Sequence, residues 1–549
     1  MKGGKGKKKT GNQKVKKAEP EEPVILANVA RTQYDVVKEV LEKNFSAKLL
    51  FDEDSPDWDL FWIDTGITSS IVSKLRPYQK VNHFQAMSCL SRKNHLGKNM
   101  MRIRKLLPND YDFVPQTWIL PAEVVEFKSQ FDGVSTFILK PEASCQGRGI
   151  FLINSYEEIS PDERYIAQKY IPNPYLIEGL KFDLRLYVLV YGCDPLRIFL
   201  YKDGLVRLAT EQYVPPSTKS MENMYIHLTN YAINKTNEKF IYNTDATRTD
   251  VGHKRNLSFV WSYIDQHGGD SLKVQAEIKH CIIKTLCGVQ PLLRHAYRSY
   301  QPSDNSNNKC FEVLGFDILI DKNLKPWLIE VNHTPSFSTD TPFDYKIKFE
   351  LLTDTIRILN IKPTKRIKYL TKRSEKLLFE TVKKSKEEIA EIRRRKMEKR
   401  DKYELENCGG YIRIYPEDNN QAKYDVYIKA AQEVWDNVIG TKKGAELYNK
   451  KLELEKKRKK TPIKYKSHIK PPINRKPLYY VNIRRVPKKK PDLADLVEIQ
   501  MTLEIFGYDK EIQELIIKKL IDREEAKEGV SEERSELPII HSKIQTSIV

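Results

Sequence analysis

Between Leu180 and Leu186 polar and apolar residues alternate: Lys181, Asp183 and Arg185 hold one parity, Phe182, Leu184 and Leu186 the other. Successive side chains of a strand point to opposite faces, so this period of two predicts a strand with one packed face and one charged face. A charged face is either solvated or the floor of a site, and the pattern leaves both open. Two apolar runs, FEVLGFDILID and KPWLIEVN, flank a short polar turn and predict an antiparallel hairpin. A turn centred between Asn323 and Leu324 pairs positions that sum to 647, which sets Asp317 opposite Glu330 and puts Asn332 on the face of Glu330. Upstream, the runs TFILK and IFLI around PEASCQGRG predict strand, glycine loop, strand. Three stretches predict helices: SLKVQAEIKHCIIKTLCGVQPLLRHAY, the LADLVEIQMTLEIFGYDKEIQELIIKKL end, and LTKRSEKLLFETVKKSKEEIAEIRRRKMEKRDKYELE. The last lacks Pro and Gly and reads as one long exposed helix.

Facing carboxylates repel, and a sheet tolerates them poorly unless a cation lies between them. Asp317, Glu330 and Asn332 therefore form a candidate hard-cation site, although acids also commonly flank core hairpins. Oxygen-only ligation by few protein groups suits Mg2+, which keeps water and is shared with substrate phosphates, so a nucleotide is the implied second ligand. In the glycine loop, Gly147 and Gly149 allow backbone N–H groups to approach an anion, with Lys140 and Arg148 supplying charge. The spacing is not the Walker pattern, and a Gly-x-Gly can equally be a plain hairpin turn. His333 follows Asn332 and so points away from the metal face if the strand continues.

The order of these blocks carries a resemblance. LKPEASCQGRGIFL, AQKYIPNPYLIEGLKFDLRLYVLV, YIHLTNYAINK, FEVLGFDILID and KPWLIEVNHTPSF, over roughly residues 25 to 415, resemble the tubulin tyrosine ligase-like family of ATP-grasp ligases, and within it the polyglutamylases. The resemblance implies an α/β (α+β) fold with a three-lobed ATP-grasp core. It assigns ATP to Lys140, to the loop Gln146, Gly147, Arg148 and Gly149, to a hinge of Gln168, Lys169, Tyr170 and Ile171, and to Lys181, Phe182, Asp183, Thr229 and Asn230. Magnesium falls to Asp317, Glu330 and Asn332, in agreement with the hairpin register. The incoming amino acid falls to Arg148, Arg207, Tyr231, Ala232, Lys254 and Lys348, with Arg148, Lys181 and Arg207 as the catalytic set. Joining an amine to a carboxylate needs an activated acyl group, and transfer of the terminal phosphate of ATP supplies an acyl phosphate without an enzyme nucleophile. Arg148 and Arg207 could grip a carboxylate in a forked pair, though either could equally lie on the surface.

Charge refines the partner. Of the net +20, residues 361–400 carry +10 (16 Lys and Arg against 6 acids), 441–490 carry +16 (19 against 3) and 1–17 carry +8, which leaves the remainder at −14. The basic charge thus sits in appendages, where a polyanion is the expected partner. No RNA-recognition signature, zinc finger or aromatic platform accompanies it, so nucleic acid is not expected; the resemblance points instead to the acidic tails of tubulin and to microtubules. The seven cysteines show no CxxC pair and read as reduced thiols, Cys145 lying inside the glycine loop. The start MKGGKGKKKT lacks the apolar stretch of a signal peptide and no run is long enough to span a bilayer, so no membrane insertion is expected.

The expected organisation is a basic flexible tail (1–24), an N-terminal lobe (25–107), a central ATP-grasp lobe (108–210) and a C-terminal ATP-grasp lobe with the Mg2+ site (211–360). A basic helical microtubule-binding extension (361–440), a basic disordered stretch (441–490) and a helical end (491–549) follow. The resemblance implies an ATP-dependent enzyme that joins free L-glutamate to side-chain carboxylates of tubulin tails by isopeptide bonds, favouring elongation. Its expected place is the cytoplasm and cytoskeleton, including the cilium or flagellum axoneme and basal body. The alternatives are a glycylase, a glutamylase of another acidic protein, or an inactive microtubule-binding scaffold.

Overall fold

The structure is a computed structural model that describes residues 23–142, 144, 146–160, 163–375, 385–417 and 421–439. The readings made for residues 1–22, Cys145, 441–490 and 491–549 lie outside the described residues. Three sheets organise the rest. In the first, β1 (Leu26–Arg31), β2 (Lys48–Leu50), β3 (Leu60–Ile63) and β4 (Lys80–Val81) run parallel in the order β2-β1-β3-β4. Parallel neighbours need a crossover, and the helix Asp35–Phe45 supplies it, burying Val36, Val37, Val40 and Leu41 on one stripe.

The second sheet is antiparallel: β5 (Thr117–Ile119), β6 (Phe137–Pro141), β7 (Phe151–Ile153) and β8 (Tyr165–Lys169), ordered β5-β8-β6-β7. As expected, β6 and β7 flank the glycine loop. An aromatic cluster of Trp118, Phe127 and Phe137 holds this small sheet together.

The third sheet carries β9 (Leu176–Ile177), β10 (Leu180–Cys193), β11 (Leu196–Gln212), β12 (Lys254–Asn256), β13 (Glu312–Ile320), β14 (Pro326–Asn332) and β15 (Tyr411–Tyr415). Its main order is β12-β11-β10-β13-β14, with β9 on β10 and β15 on β11. Strands β10 and β11 therefore belong with the metal hairpin rather than with the glycine loop, so the expected boundary at 210 falls inside one continuous sheet. The long β10 has two dissimilar faces. Phe182, Leu184, Leu186 and Val188 pack on the helices Leu257–Gln266, Ser271–Cys287 and Gln290–Tyr300, while Tyr187, Leu189 and Tyr191 pack on the helix Pro342–Ile358 and the first sheet. The latter face turns charged toward the start of the strand, at Lys181, Asp183 and Arg185.

The extension returns to the core. The helix Pro363–Glu375 ties in through a buried pair between Arg366 and Asp59. The helix Lys386–Glu406 starts afresh at Ser385, whose hydroxyl accepts from the Glu388 amide while the Glu388 side chain accepts from the Ser385 amide. One long exposed helix was expected; a capping box opens a new one instead, and its last turns are docked. There Arg197 pairs with Asp401 and Glu404, and Arg400 donates to the carbonyl of Asn307 (2.9 Å) and lies over the Tyr191 ring. Strand β15 and the helix Gln421–Ile439 follow, the latter packed on the helices of the third-sheet lobe. Among the described residues, no helix is long and apolar enough to cross a membrane.

Candidate nucleotide and metal site

The hairpin places Asp317 directly opposite Glu330, as the register argument requires, and Gly315 opposite Asn332. A register shift follows beyond Asp317, so that Ile318 faces Leu328 and the sum rule fails toward the turn. The site end of the hairpin is thus as expected, and a bulge absorbs the difference. Gly315 leaves room for the Arg185 side chain, which a Cβ there would meet at 3.0 Å.

Charged residues face one another across the sheet, two of the three pairs being of opposite sign. Asp183 lies opposite Arg207, Arg207 opposite Lys254, and Arg185 opposite Asp317. Arg207 donates to both Asp183 (Nε to Oδ1, 2.8 Å) and Asp317 (Nη2 to Oδ2, 2.8 Å), and Arg185 grips Asp317 with Nε and Nη2. Burial would raise the Asp317 carboxyl, but the two guanidinium groups outweigh it and hold it down at about 2. The Asn332 amide bridges the same group, its nitrogen 3.1 Å from Glu330 Oε1 and its oxygen 3.3 Å from Arg185 Nη2. Arg185 was seen in the sequence only as part of a charged face; its place directly opposite Asp317 is a property of strand order.

Two buried lysines look onto this cluster. Lys140 on β6 donates to Gln168 (2.8 Å), and burial lowers it to about 8, with Glu330 and Asp317 pulling the other way. Lys140, Gln168 and Glu330 line one cleft of about 430 Å3. Lys181 donates to the Tyr170 hydroxyl (2.9 Å) and the His227 carbonyl (2.8 Å), and burial lowers it to about 7. Neither lysine has a carboxylate within 4 Å among the described residues, although burying an unpaired ammonium is costly. An ammonium has three donors, and two of those of Lys181 are spent.

Behind Lys181 the hydrogen bonds have a fixed direction. His227 Nε2 can only donate to the Ser220 carbonyl (3.0 Å), so neutral Nδ1 accepts from Tyr170 (3.0 Å), and the Tyr170 oxygen accepts from Lys181. Burial and the neighbouring Lys181 lower His227 to about 4, which keeps it neutral. The pattern along the sequence assigned His227 no such role.

The glycine loop has positive φ at Gln146 (61°), Gly147 (85°) and Gly149 (69°) and rests on the segment after Thr229. A Cβ at Gly147 would lie 2.5 Å from Ile233 Cδ1 and 3.0 Å from Asn230 Cγ, so only glycine fits. Arg148 is exposed, with its guanidinium 3.2 Å from the Gln146 side-chain oxygen. Arg207, by contrast, is buried. Thr229 supports Asp183. Lys169 is exposed on the β8 end, Ile171 is half-buried, and Phe182 is fully buried on the opposite face of β10. The side chain of Phe182 therefore cannot join Lys181 and Asp183 in a ligand pocket.

A second group gathers beside β12. Lys254 donates to Asp344 (2.9 Å) and lies 3.5 Å over the ring of Tyr231, whose hydroxyl donates to Asp340 (2.9 Å). Lys348, lowered to about 8 by burial, stands 3.9 Å from Asp344. Ala232 is half-buried on the same short helix as Tyr231. Asp344, fully buried between two lysines, was not singled out in the sequence, where its only signal is the i, i+4 spacing to Lys348. His333 lines a different cleft, of about 290 Å3, with Asp64, Asn82 and His83.

The donor set fits Mg2+ in kind: two facing carboxylates and an amide oxygen, all hard, beside lysines that lack anionic partners. Among the described residues no group of three or more His, Cys, Asp or Glu forms a closed metal cage. An open set of this sort needs further oxygen ligands, which water or phosphate would provide. The described cysteines carry free thiols.

Residues 71–368 match the model of the tubulin-tyrosine ligase family, a match over more than half of the chain. The chain belongs to that family. It is 46% identical over 426 residues to a probable beta-tubulin polyglutamylase of Tetrahymena thermophila, covering 76% of this chain and 36% of that protein. It is 39% identical over 444 residues to mouse tubulin polyglutamylase TTLL6 (79% of this chain, 53% of that protein) and 37% identical over 447 residues to human tubulin polyglutamylase TTLL7 (76% and 49%). The chain thus spans between about a third and about half of the length of these relatives.

Proposed function

We propose that the protein is an ATP-dependent polyglutamylase with an ATP-grasp core. In this reading it joins L-glutamate to side-chain carboxylates of tubulin tails, favours chain elongation, and works on the cytoskeleton, the ciliary axoneme and basal body included. The observation that carries the reading is the pairing of Asp317 opposite Glu330 beside two buried lysines without carboxylate partners. When bound, ATP with Mg2+ would activate the acceptor carboxylate by phosphorylation. The chain's part is positioning and charge. Asp317, Glu330 and Asn332 would hold the metal, Lys140 and Lys181 would face the phosphates, and the loop 146–149 would cover them. Arg185 and Arg207 keep Asp317 ionised, so its oxygens are ready as ligands at neutral pH. Lys254 and Lys348, each beside Asp344, form a cationic wall suited to the carboxylates of the incoming amino acid.

The test is mass spectrometry of tubulin after incubation with ATP, Mg2+ and each of glutamate, glycine and tyrosine. Glutamate additions alone are expected, and they should vanish in Asp317→Ala and Glu330→Ala while microtubule co-sedimentation persists. Additions of glycine, or full activity in both variants, would refute the reading.

A further inference from the structure

The helix Lys93–Leu106 separates two clefts. Its Lys93, Leu96 and Gly97 border the cleft of Lys140 and Glu330, whereas His95, Lys98, Asn99 and Arg102 line another, of about 610 Å3. The opposite wall of that second cleft is apolar and comes from Val289 and Leu292 at the start of the helix Gln290–Tyr300 and from Val434 and Trp435 on the helix Gln421–Ile439.

Lys98 and Arg102 are four residues apart, hence neighbours on one helix face, and each is half-buried. Neither has a carboxylate within 4 Å among the described residues. Glu123 acts on both from further off, and its own carboxylate accepts the Ile119 amide (2.7 Å). Burial lowers both groups, and Arg102 adds to the effect on Lys98. Two like charges, partly dehydrated and offset only by the more distant Glu123, are costly to maintain beside an apolar wall, and an anionic ligand relieves that cost.

We propose that this cleft is an exosite for an acidic peptide segment of the protein substrate, with carboxylates at Lys98 and Arg102 and an apolar or aromatic residue against Val289 and Leu292. The apolar wall favours a peptide over a simple polyanion, which would leave that wall wet. The proposal rests on the reading that the substrate is an acidic polypeptide. Because the helix Lys93–Leu106 also borders the Lys140 cleft, a peptide held here is tethered beside the chemistry, which raises its effective concentration there.

The experiment uses the full chain and a fluorescein-labelled glutamate peptide with one central tyrosine, both as ligand and as acceptor. In Lys98→Met/Arg102→Met the peptide Kd and KM should rise about tenfold, and further in Lys98→Glu/Arg102→Glu, with the KM for ATP and kcat at saturating peptide unchanged. The charge-neutral pair guards against a folding defect from reversal. Peptide affinities within twofold of wild type in both variants would overturn the proposal. So would an equal loss for a DNA oligomer of the same length, since that is unselective attraction. If wild type binds the peptide but transfers no glutamate, a loss of binding in the variants still supports the cleft, and only the proposed activity fails.

Discussion

At the scale of single residues, hydrogen bonds place the buried cations. Lys181 is held by the Tyr170 hydroxyl and behind it by His227, so in the proposed function His227 would act through Lys181 and not on a ligand. Replacing His227 with Phe keeps a ring between Tyr170 and Tyr213 but removes the acceptor for Tyr170. The KM for ATP should rise about tenfold with kcat within about twofold, since the loss of one directed hydrogen bond is worth on the order of 1 kcal/mol. A merely structural role would not shift the pH profile. Here, the Lys181 ammonium becomes less favourable, so the alkaline fall in nucleotide affinity should begin at lower pH. The acids of the site were legible because strand parity and turn position place Asp317, Glu330 and Asn332 together. Arg185 and His227 were not, because their partners are distant in the chain: 132 residues separate Arg185 from Asp317, and 57 separate Tyr170 from His227.

At the scale of elements, the basic helix Lys386–Glu406 divides into two parts. Its C-terminal turns are docked through Arg197, Asp401, Glu404 and Arg400, whereas Arg393 and Lys396 stand exposed. Several neighbouring charges are spent within the helix, Arg394 on Glu391 and Glu398 and Arg395 on Glu391. Arg393→Glu with Lys396→Glu should therefore weaken microtubule co-sedimentation severalfold at low salt while leaving the urea midpoint unchanged. Glu404→Gln should do the reverse. It leaves Arg197 poorly paired in the core and should cost roughly 3 kcal/mol of stability, read from urea unfolding. The helix composition was legible, and so, in principle, was its break, since Ser385 followed three residues later by Glu388 is a capping signal. Its docking was not, because the charges that dock it look along the chain like those that stay in water.

At the scale of the molecule, pH should move stability and ligand affinity in opposite directions. Lys181 and Lys140 titrate near 7 and 8 when folded, below the ordinary lysine value of 10.5. Between those values the unfolded chain binds more protons, so stability rises with pH, by on the order of 3 to 4 kcal/mol for the two groups together from about pH 7 to about 9. Nucleotide affinity should fall over the same range, because an anion binds the protonated lysines. Urea midpoints and nucleotide Kd at both ends of the range check the pair of trends, and Lys181→Met should flatten both. A further whole-molecule feature is the unity of the third sheet, in which strands drawn from residues 176–415 lie side by side.

The sequence by itself determined whatever depends on neighbours along the chain: strand parity, the hairpin that sets Asp317 against Glu330, the glycines that permit positive φ, and the separation of basic segments from a net acidic remainder. The period of two and the length of a turn are local properties, and they suffice for those. Only the tertiary structure decided which strands share a sheet, which arginines neutralise Asp317, and which part of a basic helix is buried. Those outcomes depend on the competition between dehydrating a charge and pairing it, and the partner that settles the competition lies tens to hundreds of residues away.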